Sequence, residues 1–81
     1  HLAGVDRGRG RAEALDAVSE LTDREREVAV AIGQGCSNQE IAERLFMSVA
    51  TVKAHVSRLL EKLGVNNRVQ VALIVRDAGL T

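Results

Sequence analysis

Lys53, Ser57 and Arg58 are the residues of this chain best placed to act on a partner. They lie in the run Thr51-Val52-Lys53-Ala54-His55-Val56-Ser57-Arg58. On a helix they take faces that Val52, Val56 and Leu59 leave free. A cation and a hydroxyl one turn apart can donate hydrogen bonds to base edges in the major groove of B-DNA, which admits an α-helix. Upstream, Ser37-Asn38-Gln39-Glu40-Ile41-Ala42 opens another short helix, and Phe46-Met47-Ser48 separates the two. Two short helices across a tight turn, the second polar and basic on its outer side, form a helix-turn-helix pattern.

The elements that must hold this pair are marked by caps and stops. Thr22 is a helix N-cap with Glu25 three residues on, a capping box, and Asp23 and Glu25 suit the positive helix start. Val28, Ala31 and Ile32 share the inner face of this first helix, and Gly33 and Gly35 end it. Ser37 and Glu40 form a second box, after which Ile41, Ala42 and Leu45 face inward. Ser48 caps a helix predicted at about 49–63, whose Val52, Val56, Leu59 and Leu63 make a buried seam and whose end is set by Lys62 and Gly64. A last helix is predicted at about 67–78, stopped by Gly79. It carries Val69, Val71, Ala72, Leu73, Ile74 and Val75, too many for one face, so several are exposed or a partner covers them. With no alternating strand pattern, internal repeat or proline, the expected class is all-α, a four-helix bundle-like domain containing a helix-turn-helix.

Composition narrows the function classes. Eighty-one residues make one small domain with a modest core. Phe46 is the only aromatic, which argues against base-stacking binders of RNA or single strands. Cys36 is the only cysteine, and His1 and His55 are distant from it, so neither a disulfide framework nor a zinc site is expected. No cofactor and no catalytic residues are expected, since no nucleophile–base pair or phosphate-cradling glycine loop appears. No apolar run approaches the ~20 residues of a membrane span and no signal peptide is visible, so a reducing, cytoplasmic setting fits. The start at His1 suggests a fragment of a longer chain.

Net charge is zero, but its distribution is uneven. Arg7, Arg9 and Arg11 face only Asp6 in residues 1–11, acidic residues prevail over 12–47, and Lys53, Arg58, Lys62, Arg68 and Arg76 outnumber Glu61 and Asp77 thereafter. The positive surplus thus lies in the half that would meet DNA. Residues 1–20 are expected to be a linker. Its glycine- and arginine-rich 1–11 is read as disordered, and 12–20 as a helical turn or two. The alternative is that Ala14, Leu15 and Val18 form a stripe that packs on the domain formed by 21–81.

The residues resemble a known family. Leu21-Thr22-Asp23-Arg24-Glu25-Arg26-Glu27-Val28, Gly35-Cys36-Ser37-Asn38-Gln39-Glu40-Ile41-Ala42, Thr51-Val52-Lys53-Ala54-His55-Val56, Lys62-Leu63-Gly64-Val65 and Asn67-Arg68 look like the LuxR/NarL/FixJ-type DNA-binding domain. The resemblance covers about 21–80. It implies a four-helix output domain of a bacterial two-component response regulator, binding double-stranded DNA as a dimer, with the input domain elsewhere. It puts base reading at Ala50, Lys53, Ala54 and Ser57, with phosphate contact at Thr51 and His55. Ala50 and Ala54 depart from polar members of the family and offer only apolar contact, so DNA shape or dimer spacing would share in specificity.

The other phosphate candidates are Ser37 and Asn38, which are caps first, with Arg58, Lys62 and Arg68. Arg68 has the rival role of an ion pair with Glu25 or Glu27. Cys36 is read as an inert turn residue. Val69, Leu73 and Arg76 are the candidate homodimer stripe. The opposite arrangement would bury them and expose Val71 and Val75. RNA polymerase stands as a candidate further partner. Two other functions remain open: a protein-interaction module using the last helix, and a promoter binder like sigma-factor region 4, which shares the Leu-x-x-Arg-Glu-Arg-Glu-Val opening.

Overall fold

Four side-chain caps mark where the chain turns into helix. The computed structural model describes the backbone of residues 2–81 and the side chains of 10–81; His1 and the side chains of Arg7 and Arg9 lie outside the described residues. The elements are α1 (Leu2–Ser19), α2 (Asp23–Gly33), α3 (Asn38–Leu45), α4 (Val49–Leu63) and α5 (Arg68–Asp77), with no strand among the described residues. Thr22 Oγ1 accepts the Glu25 amide at 3.2 Å while Glu25 Oε1 accepts the Thr22 amide at 2.9 Å. Ser37 and Glu40 make the same reciprocal pair at 3.1 and 2.8 Å. Ser48 and Asn67 cap α4 and α5 through the amides of Thr51 and Gln70. Each cap satisfies a donor that the first helical turn leaves without an intrahelical partner.

The ends follow the expected chemistry. Gly35 at φ 85° and Gly64 at φ 66° take the left-handed backbone that ends α2 and α4. Six side chains, Val28, Ile41, Val52, Leu59, Val71 and Val75, form the fully buried centre, contributed by α2 to α5. Val56 and Leu63 complete the α4 seam half-buried. The apolar run of α5 is resolved by this packing: Val71 and Val75 point inward, while Val69 and Leu73 stay 65% and 45% exposed. Close approach of α2 and α5 depends on Gly33, where a Cβ would sit 3.1 Å from Val75 Cγ1.

The N-terminal segment differs from the sequence-based expectation. Residues 2–11, read as disordered, are helical in backbone, and 12–20, read as a linker with a turn or two, continue that helix to Ser19. Ala14 and Val18 are buried with Ala78 in a second small cluster that Leu21, Ile74 and Leu80 flank. The alternative in which this stripe packs on the domain is the one observed, although Leu15 remains 45% exposed. The physical reason is twofold. The Arg-Ala-Glu-Ala-Leu run has high helix propensity, and apolar surface on α5 is there to receive its small side chains. The three glycines weaken the helix but, unlike proline, do not forbid it.

Candidate nucleic-acid interface

The interface is built on α4, whose orientation is fixed from below. Val52 and Leu59 are fully buried and Val56 is half-buried. Ala50, Lys53, Ala54 and Ser57 therefore emerge together on the opposite side, all exposed. Thr51 and Arg58 are exposed beside them. From Val49 to Leu60 the helix has no carboxylate. The arrangement offers one ammonium, one guanidinium, two hydroxyls and two methyl-sized side chains on a convex rod that matches the major-groove width.

α3 braces this helix from behind. Ile41 and Ala42 are buried against it, and Arg24 of α2 donates a 2.7 Å hydrogen bond to the Leu45 carbonyl at the end of α3. That bond satisfies one of the orphan carbonyls of a short helix and fixes the turn that follows. Arg44 donates to Gln34 Oε1 at 2.6 Å, tying α3 to the end of α2. An open groove between α2 and α3, bordered by Arg26, Glu27, Val30 and Leu45, is lined by no residue of α4.

Each expected phosphate contact has a specific setting. The Thr51 amide is already donated to Ser48 Oγ at 3.1 Å, and the two hydroxyls share a 2.9 Å hydrogen bond. The Thr51 amide is therefore committed to the cap, and its hydroxyl is the group that can turn to a phosphate, while the first two amides of α4 lack intrahelical partners. His55 is half-buried, and its Nδ1 is enclosed without a hydrogen-bond partner, leaving Nε2 as the nitrogen that can donate outward. Ser37 acts as the α3 cap and is exposed.

Asn38 and Arg68 are engaged with each other. Arg68 Nη1 donates to Asn38 Oδ1 and Nη2 donates to the Cys36 carbonyl, both at 2.7 Å. The guanidinium thus clamps the start of α5 to the α2–α3 junction. The expected ion pair of Arg68 with Glu25 or Glu27 is not formed, because Glu25 is taken by Lys62 at 2.7 Å and Glu27 pairs with Arg24 at 3.3 Å. Lys62, expected as a phosphate contact, is an internal brace between the end of α4 and the start of α2. Cys36 is buried and its carbonyl, not its thiol, is the group in use.

Two charged groups respond to these contacts. The Glu25 carboxyl is held below its ordinary value of 4.5, mainly by the Lys62 hydrogen bond and then by the Thr22 amide, against the opposing effect of burial. Glu40 is lowered too, by the amide and hydroxyl of Ser37. Among the described residues no three of His, Cys, Asp and Glu gather to hold a metal ion, and no helix is long and apolar enough to cross a membrane.

Sequence reasoning missed two features. Arg24 was not singled out, although its length and its place beside the end of α3 make it the latch of the turn. The sequence marks Phe46 as the single aromatic and as part of that turn, without showing its backbone conformation. It caps α3 in the left-handed region at φ 57°, and its ring is 93% exposed. The signal available was a single aromatic at a helix end, following the buried run of α3.

A short helix crossing behind an outward-facing polar helix, joined by a capped turn, defines a helix-turn-helix domain. The family model described as bacterial regulatory proteins, luxR family, matches residues 19–75. The chain belongs to the luxR family of bacterial regulatory proteins, as a helix-turn-helix DNA-binding domain. It is 45% identical over 69 residues to the DNA-binding transcriptional activator DevR/DosR of Mycobacterium tuberculosis, covering 85% of this chain and 32% of that protein. It is 47% identical over 53 residues to the response regulator protein VraR of Staphylococcus aureus, covering 65% of this chain and 25% of the relative. The putative HTH-type transcriptional regulator Rv0890c of Mycobacterium tuberculosis is 41% identical over 71 residues, 86% of this chain and 8% of the relative. The chain therefore spans a third or less of each of these relatives. The luxR match also decides against the sigma-factor alternative.

Proposed function

We propose that the domain is the DNA-reading output module of a bacterial two-component transcriptional regulator, with α4 inserted in the major groove. The observation that carries this is the exposed set Ala50, Lys53, Ala54 and Ser57 on a helix face free of carboxylates. Lys53 donates to guanine O6 and N7, Ser57 reaches a base or phosphate one turn on, and the two alanines meet apolar edges. Thr51 Oγ1, His55 Nε2, Arg58 and the start of α3 at Ser37 and Asn38 hold the phosphates. Lys62 and Arg68 brace the fold through their bonds to Glu25, Asn38 and the Cys36 carbonyl. Residues 21–81 form the domain, and α1 connects it to whatever carries the input. The work is binding, without catalysis, in the bacterial cytoplasm.

The exposure of Val69 and Leu73 supports a homodimer on DNA, with Arg76 at the edge of the stripe. Two copies on half-sites about one helical turn apart gain affinity from their linkage. RNA polymerase is the further partner such a regulator would address.

The test is a fluorescence-anisotropy titration of the chain with random-sequence duplex DNA at several salt concentrations, beside Lys53→Ala. The logarithm of the affinity should fall linearly with the logarithm of salt, and the variant should bind more weakly. Absence of binding at low salt, with helicity intact by circular dichroism, transfers the proposal to a protein-interaction module using α5.

A further inference from the structure

Phe46 is a poor choice for the fold. Its φ of 57° lies in the left-handed region, where a bulky L side chain is strained and glycine or asparagine is the usual occupant. Its ring recovers nothing by burial, being 93% exposed. A strained residue whose side chain does not stabilise the core points to a use outside the fold.

The surroundings say what that use is. Ser48, two residues on, caps α4, and Val49 at its first position is 38% exposed. Ala50 follows, exposed. Phe46, Val49 and Ala50 are thus three exposed apolar residues within five positions, at the start of the helix that carries Lys53, Ala54 and Ser57. The absence of carboxylates from Val49 to Leu60 lets these residues approach a polyanion without repulsion from α4 itself. In the major groove the apolar feature is the thymine C5-methyl, and aromatic and alanine side chains are the groups that meet it.

We propose that Phe46 is a DNA contact whose ring packs on a thymine methyl at the edge of the α4 footprint, adding sequence preference that Ala50 and Ala54 are too short to supply. This rests on α4 being the groove-facing helix. It makes the turn of the helix-turn-helix part of the reading surface as well as a connector, and it accounts for an aromatic in a backbone conformation that disfavours one.

The test takes the 81-residue chain, Phe46→Gly and Phe46→Leu. A duplex is selected from a random pool with the wild type, and its thymines are then replaced one at a time by deoxyuracil, which removes only the methyl. One replacement should weaken wild-type binding several-fold and leave Phe46→Gly unaffected, with Phe46→Leu keeping part of the effect. Phe46→Gly relieves the backbone and should melt higher than the wild type, so its weaker binding is separated from unfolding. The proposal is overturned if Phe46→Gly binds the selected duplex as tightly as the wild type, or if no thymine distinguishes the two. Failure of the folded wild type to bind any duplex would instead overturn the role of α4, and this inference with it.

Discussion

Lys62 Nζ donates to Glu25 Oε1 at 2.7 Å, and that same oxygen accepts the Thr22 amide at 2.9 Å. One carboxylate oxygen therefore closes the α2 capping box and fastens the far end of α4 to it. Glu25 is the buried charged residue of the described core, while the Lys62 side chain is 40% exposed. Removing the cation leaves a buried carboxylate with only its cap donors. Lys62→Met should cost about 2 kcal/mol, between the values for exposed and buried pairs. For a domain of this size that lowers the thermal midpoint by roughly 10 °C. A midpoint unchanged in calorimetry would show that Glu25 needs no partner from α4.

Acid should act through the same group. The folded Glu25 carboxyl titrates below 4.5, so it takes up a proton less readily than in the unfolded chain. Its stabilisation is fully present above the unfolded value and is lost as pH falls through the lower folded one. Denaturant titrations from pH ~6 down to ~3 should show stability falling in that acid window, and the slope should flatten in Glu25→Gln. Glu40, lowered by Ser37, adds to the acid limb in the same direction from an exposed position.

Arg68 supplies the other clamp. Its two 2.7 Å bonds end on an amide oxygen and a main-chain carbonyl, which together require the planar guanidinium fork. Arg68→Ala should destabilise by about 2 kcal/mol, as expected for charge-assisted hydrogen bonds. Arg68→Lys should rescue little of it. Full rescue by lysine in urea unfolding would show that charge alone suffices.

Gly33→Ala tests the closeness of α2 and α5. The added Cβ would meet Val75 Cγ1 at 3.1 Å and Thr81 Cγ2 at 3.1 Å, and Val75 is fully buried. Overpacking of this kind costs about 1–3 kcal/mol despite the better helix propensity of alanine. A more stable variant would mean that the helices separate easily.

Val69→Glu and Leu73→Glu address self-association. Both positions are outside the core, so each variant should unfold within about 0.5 kcal/mol of the wild type. On a duplex bearing two half-sites they should lose the second, cooperative binding step while retaining binding to a single half-site. Undiminished cooperativity in gel-shift titrations would remove this stripe from the dimer proposal.

What could be read beforehand follows from the range of each interaction. The caps at Thr22, Ser37 and Ser48, and the stops at Gly35 and Gly64, are local chemistry, and the helices begin and end there. The α4 seam was legible because Val52, Val56 and Leu59 repeat with one helical period among polar neighbours. In α5 nearly every residue from Val69 to Val75 is apolar, so periodicity could not choose between Val69/Leu73 and Val71/Val75. The choice is made by α2, which packs on one of the two faces. The partners of Lys62 and Arg68 are not legible in the sequence because each side chain is long enough to reach several groups, and chain order does not reveal distance. The helical state of α1 was hidden for a related reason: its own stripe, Ala14 and Val18, is narrow, and the surface that receives it lies about sixty residues away on α5.

The uneven charge has a kinetic consequence. A neutral domain feels no net pull from DNA at long range, but an object with acidic helices at one part and an α4 free of carboxylates from Val49 to Leu60 at another has an electric dipole. In the field around a duplex such an object experiences a torque before it experiences much attraction. Beyond a Debye length of about 8 Å at physiological salt even the torque fades. The domain then arrives by ordinary diffusion and is turned, over its last few ångströms of approach, to present α4 first.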